Sequence, residues 1–278
     1  MKRFLSILLS VAMVMSMMPM AFAESVSENG VDFAAETVET ADEAVQGTVT
    51  ELADDTAEIS YSTDGGSTWT TAAFDTVWSE TAKSANWGKS YQIKVLKDFS
   101  LTADKEYSLS YGVKVTIYAD ADVTITVPTT TKITVSSGGQ YNKGDAILTF
   151  GKSGATGTVT FDGGKETFSD AVFRTNWSSG SYMGHLVIND GASIKNIKRG
   201  SGGTYYGIIY NNGQLDINGG SITDNEISSN TVDSVIFNCR KLNIAGGEIS
   251  NNSITSSNGY IVMVRGSSAE FTMTGGKI

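Results

Sequence analysis

The sequence predicts an all-β fold, a parallel β-helix with three short strands per coil, closed at its N-terminal side by a hairpin and a short helix. Three observations carry this. A phrase recurs: QLDINGGSITDN opens at Gln214, KLNIAGGEISNN at Lys241 and EFTMTGGKI at Glu270, with a looser copy, HLVINDGASIKNI, at His185. Its Gly-Gly pairs begin at Gly219, Gly246 and Gly275, a period of 27 and then 29 residues, which is the spacing of stacked repeat architectures. Residue types also align between copies. Leu186, Leu215, Leu242 and Phe271 form one column, Ile188, Ile217, Ile244 and Met273 a second, and Ile194, Ile222, Ile249 and Ile278 a third. Finally, apolar and polar residues alternate within each phrase, the period of a strand with one buried face. Gly-Gly breaks that strand, a second strand follows, and a third apolar run (Gly207 to Tyr210, Val235 to Phe237, Ile261 to Val264) closes each unit. One such coil cannot bury its own apolar face, so stacking supplies the core.

Taken in order, the chain starts with a basic pair (Lys2, Arg3), an apolar stretch and Ala21-Phe22-Ala23. This is the pattern of a secretory signal peptide over 1–23, cleaved after Ala23. Residues 24–56 hold ten acidic and no basic residues, and with a single aromatic, Phe33, they read as a disordered acidic spacer. Residues 57–90 are expected to form a hairpin and a capping helix. Asp64-Gly65-Gly66 supplies the tight turn. The string Ser62 to Trp69 also matches the Asp-box pattern S-x-D-x-G-x-T-W, which resembles the hairpins of sialidase-like propellers, where the box is a folding element. Phe74, Val77, Trp78, Ala82 and Ala85 have helical spacing, and a helix there would cover the first rung, which otherwise exposes strand edges. Residues 91–278 then form the β-helix, irregular at first and regular from His185 onward. The last phrase stops at Ile278 without a polar cap, so the sequence predicts that the solenoid is truncated at its C-terminus and frays or associates there.

Beside the apolar columns runs a polar one. Asn196, Asp224 and Asn251 each sit two residues after an aligned isoleucine, where stacked Asx side chains can satisfy bend amides. With this column included, the GG-x-I-x-x-N cadence resembles the right-handed parallel β-helix repeats (pectin-lyase-like superfamily) of secreted and surface proteins of Gram-positive bacteria. The resemblance implies a right-handed coil. It does not select a function, since the superfamily includes lyases, hydrolases, adhesins and stalks.

Composition sets limits. The formal charge is −10, but the acidic excess lies in the spacer; residues 57–278 hold twenty acidic and eighteen basic residues. No basic patch is visible, so nucleic acid and anionic membrane surfaces are not expected partners. No apolar run after the leader is long enough to span a bilayer. The single cysteine, Cys239, is expected to pack in or near the core rather than in a disulfide.

The residues that could do chemistry are scattered. The superfamily resemblance implies clustered carboxylates with an Arg or Lys base for lyases, or paired aspartates for hydrolases. Here Asp162, Asp190 and Asp216 are singletons, Arg174, Lys198 and Arg199 lack the Arg-x-Lys element, and His185 lacks the flanking motif. Asp120 and Asp122 flank a turn and are too few to specify calcium. The sequence therefore favours a non-catalytic role and names no cofactor and no metal. Trp177, Tyr182, Tyr205, Tyr206 and Tyr260 fall in or beside loops, and aromatic rings there can stack on sugar faces. The function expected is a secreted or cell-surface protein acting in adhesion or glycan binding, with glycans or host and cell-surface proteins as partners. The alternatives are a polysaccharide lyase or glycoside hydrolase on the same fold, or a non-catalytic stalk.

Overall fold

A computed structural model describes residues 57–137, 143–177 and 182–278; the leader and the acidic spacer lie outside the described residues. The body is a parallel β-helix. Its first sheet has nine strands, running from the antiparallel hairpin Ile59–Ser62 and Thr70–Ala72 through Ser90–Val95, Lys114–Ala119, Ala146–Phe150, Gly184–Ile188, Gln214–Ile217 and Lys241–Ile244 to Glu270–Met273. A second sheet runs from Phe99–Ser100 to Glu248–Ser250 and a third from Glu106–Leu109 to Gly259–Val264, six strands each. Three main sheets match the expected three strands per coil. A fourth sheet of two-residue strands, Thr167–Phe168, Lys198–Arg199, Glu226–Ile227 and Ser253–Ile254, sits between the second and third.

The columns read from the repeats are in register. Leu186 pairs with Leu215, Leu215 with Leu242, and Leu242 with Phe271. Pairings through Leu148 and Val115 carry that column back to Tyr91. Leu148, Leu215 and Leu242 are fully buried, and each such side chain contributes about 1.5–3 kcal/mol. The two glycines of each phrase do different work. The second turns the chain through positive φ (Gly220 69°, Gly247 77°, Gly276 78°). The first lies so close to the preceding rung that a β-carbon at Gly246 would collide with the Asn218 carbonyl.

The polar column divides its labour in the same way. Asn196, Asp224 and Asn251 all adopt left-handed φ, between 54° and 57°, which asparagine and aspartate tolerate better than other side chains. The hydrogen-bonded ladder runs one residue further on. Asn225 Oδ1 accepts from the Ile197 amide at 3.0 Å, and Asn225 Nδ2 donates to Asn252 Oδ1 at 3.0 Å. Asn252 Nδ2 in turn donates to the Ile222 carbonyl at 2.8 Å. A second ladder, fully buried, stands where the third sheet hands over to the first: Thr175 donates to Asn211, which donates to Asn238 at 2.6 Å. These bonds satisfy polar groups that burial would otherwise penalise by about 1–3 kcal/mol each.

At the N-terminal side the helix is Phe74–Thr81, shorter than the Phe74 to Asn86 spacing suggests; a separate 3-10 turn, Ser84–Asn86, completes the stretch. Ala73 offers no capping side chain. Glu58 takes that part instead, accepting from the Phe74 amide at 2.9 Å, a favourable place for a carboxylate. Phe74 packs against Trp78, Phe99 and Tyr107 with ring centroids 5.2–5.7 Å away. The Asp-box hairpin is a folding element here. Asp64 accepts from the Thr68 hydroxyl at 2.6 Å and from the Ser67 and Thr68 amides at 2.9 Å each. Led by the bonds from Thr68, these contacts hold the Asp64 carboxyl well below the usual carboxylate range. Trp69 then meets Tyr118 edge-on at 6.4 Å.

Candidate functional site

An open groove of about 760 Å³ lies where the third sheet turns toward the first. Its floor is aromatic. Phe237, from Asp233–Asn238, stacks with Tyr206 at 5.1 Å and with Tyr210 at 6.0 Å. Tyr205 meets Tyr210 edge-on at 5.0 Å. At one side the Arg240 guanidinium lies 3.7 Å over the Trp177 ring. Arg265 and Ser267 come from the next coil, and Thr204 and Asn212 add further polar atoms.

Tyr205 and Tyr206 reach the groove on a loop held from below by buried charges. Arg199 is 1% exposed. Its Nη2 donates to the Gly202 carbonyl at 3.0 Å and to that of Tyr205 at 3.2 Å, and its Nη1 donates to the Gly200 carbonyl. Its Nε lies 3.2 Å from Asp233 Oδ2, and Asp233 accepts from the Gly207 amide. Asp170 accepts from the Tyr205 amide at 2.9 Å and pairs with Arg174 at 2.8 Å. Burial alone would raise the Asp170 carboxyl, but the Tyr205 amide and the Arg174 charge outweigh it and keep the group below its ordinary value. Arg174 also lies 4.3 Å over the Tyr205 ring. The loop is thereby fixed before any ligand arrives, which lowers the entropy cost of binding.

Tyr210 and Cys239 add two weakly acidic groups to the groove. Burial pushes the Tyr210 phenol up to about 12. It also pushes up the Cys239 thiol, against the opposing effects of Tyr210 and Arg265, so the sulfur stays protonated and is a poor nucleophile. Cys239 is half-buried at the groove wall rather than in the core.

Of the five aromatic residues named from sequence, the structure brings three together: Trp177, Tyr205 and Tyr206. Tyr182 is half-buried and Tyr260 is 47% exposed on Gly259–Val264, both outside the groove lining. Tyr210, Phe237, Arg240 and Arg265 were not legible as site residues, although Arg240 and Arg265 follow the third strand of successive coils. Asn196, Asp224 and Asn251 line a different trough of about 330 Å³ with Lys165, Lys198 and Glu226.

The scattered acids are engaged in structural bonds. Asp162 accepts from Asn196 Nδ2 at 2.9 Å, Asp190 from the Gly220 amide at 3.3 Å, and Asp122 from the Thr158 amide at 2.9 Å. Asp216 lies 2.8 Å from His185 Nε2 and also accepts from Gln214 and Asn243. Burial works against its ionisation, but these bonds prevail and lower the Asp216 carboxyl. Among the described residues no group of three or more His, Cys, Asp and Glu could hold a metal ion. Nor, among them, is any helix long and apolar enough to cross a membrane.

No protein-family model, curated protein or solved structure matches this chain.

Proposed function

We propose that this is a secreted bacterial surface protein that uses its β-helix as a rigid scaffold for contact with glycans, through the groove of Trp177, Tyr205, Tyr206 and Tyr210. The observation that carries the reading is the groove itself: a fixed aromatic floor with hydroxyl and amide groups at its rim. Aromatic faces stack on the apolar faces of sugar rings, and the rim groups can bond to hydroxyls. Export rests on the tripartite leader, and protein recovered from a secreting host should begin at Glu24.

A glycan array probed with the whole chain tests the binding role. Binders found there should lose about tenfold or more in affinity with Tyr206→Ala, the range of an aromatic anchor. Tyr206 is 38% exposed, so its truncation removes little of the core. An array without binders removes the proposal. So does steady release of unsaturated product from a polyuronide that stops in Asp216→Asn, which would make the chain a lyase.

A further inference from the structure

We infer that the groove selects a sugar bearing a sulfate ester. This rests on the glycan contact proposed above and adds the charge of the ligand to it.

The observation is an imbalance of charge. Residues 57–278 contain four arginines. Two of them, Arg174 and Arg199, are buried and paired with Asp170 and Asp233. The other two, Arg240 and Arg265, both line the groove, and neither pairs with a carboxylate among the described residues. No Asp or Glu lines the groove. In a body of twenty acidic and eighteen basic residues, this is a local cationic site.

Arginine chemistry then narrows the anion. A guanidinium carries its N–H donors in its plane, and the Arg240 group lies 3.7 Å over the Trp177 ring. The strand residue Val264 pairs with Asn238, which puts Arg265 one rung on from Cys239 and one position short of Arg240 in register. Both guanidinium-bearing residues thus line one groove from adjacent rungs. A carboxylate offers two oxygens, which one fork can engage in a bidentate pair. A sulfate ester offers three terminal oxygens and can serve both. The aromatic floor beneath meets the sugar ring that carries the ester.

The test uses one oligosaccharide backbone in three forms, unmodified, sulfated and carboxylated, titrated calorimetrically against the whole chain. The sulfated form should bind about tenfold or more tighter than the unmodified form, and that ratio should shrink as salt is raised and charges are screened. Arg265→Gln, at an exposed position, should reduce the ratio of sulfated to unmodified affinity about tenfold. Tyr206→Ala should weaken all forms together. Equal affinity for sulfated and unmodified forms overturns the inference and leaves glycan binding standing, as does tighter binding of the carboxylated form. A ratio unmoved by Arg265→Gln also overturns it. If the wild-type chain binds none of the three, the glycan reading falls and the inference with it.

Discussion

At the N-terminal side of the solenoid, Phe74, Val77 and Trp78 of the helix are buried to within 2–4% exposure, packed with Phe99 and Tyr107 of the first coil. In the last coil, Phe271 and Met273 belong to the same two columns as Leu242 and Ile244, yet they are 44% and 42% exposed where their neighbours one rung back are 0% and 1%. Residue type is nearly constant along each column. What changes is the number of neighbours: an inner rung has two, and a terminal rung has one unless something outside the repeat covers it. Repetition therefore builds the inner rungs, and at the first coil a non-repeating element covers the column ends. At the first coil that element is a helix anchored by Glu58 and by Asp75.

The largest expected effect removes that element. Phe74→Ala takes away the ring shared by Trp78, Phe99 and Tyr107 and should cost about 3–5 kcal/mol in denaturant unfolding. A loss below about 1 kcal/mol would mean that the helix adds little to the first coil.

A sharper comparison uses one column. Leu242→Ala should cost about 2–5 kcal/mol, as a fully buried leucine does, while Phe271→Ala in the next rung should cost under about 1 kcal/mol because little burial is lost. Amide exchange should follow the same gradient, fast in Glu270–Met273 and slow in Gln214–Ile217. Equal costs, or strong protection of Glu270–Met273, would show that the last rung is covered in solution.

The same contrast explains what could be read from the sequence. The inner columns were legible because stacked rungs demand the same residue type at the same place, and Leu215 and Leu242 announce each other. The early coils were legible only as alternating strands, since Tyr91, Val115 and Leu148 fill one column with three different shapes. Glu58 gave no signal as a helix cap, being sixteen residues from the amide it serves. The Arg199–Asp233 pair was illegible for a stronger reason: composition places such charges outside, and only the folded loop brings both within. That loop also decides which aromatics form the groove. Tyr205 and Tyr206 share their loop setting with Tyr182, while Tyr260 lies on the strand Gly259–Val264; only the first two are carried on carbonyls and amides that Arg199, Asp170 and Asp233 hold.

The smallest expected effect is one of pH, and it acts on the covered end alone. Asp75, in the first turn of the helix, accepts from the Tyr107 hydroxyl at 2.6 Å and from the Thr102 hydroxyl at 2.7 Å, with Lys105 at 3.0 Å. Burial pushes its carboxyl up, but the bonds from Tyr107, Thr102 and Lys105 push it further down, so it lies below its ordinary value in the folded chain. The ordinary value of an aspartate is about 3.9. A carboxyl lowered by folding contributes stability that is complete above that value and is lost as pH falls through the folded value. The first coil should therefore loosen in acid below about pH 4. Tyr107, whose phenol is raised to about 12 by burial and by the Asp75 bond, stays protonated throughout and keeps donating until the carboxylate is gone. Exchange of the Phe74–Thr81 amides, measured between pH 5 and pH 3 and corrected for intrinsic rates, should rise toward the acid end in the wild type. In Asp75→Asn the same amides should open at every pH with a flatter profile, while those of Gln214–Ile217 follow one profile in both proteins. A wild-type profile as flat as that of Asp75→Asn would mean that solvent screens this carboxylate enough to leave the helix anchored by its apolar face and Glu58.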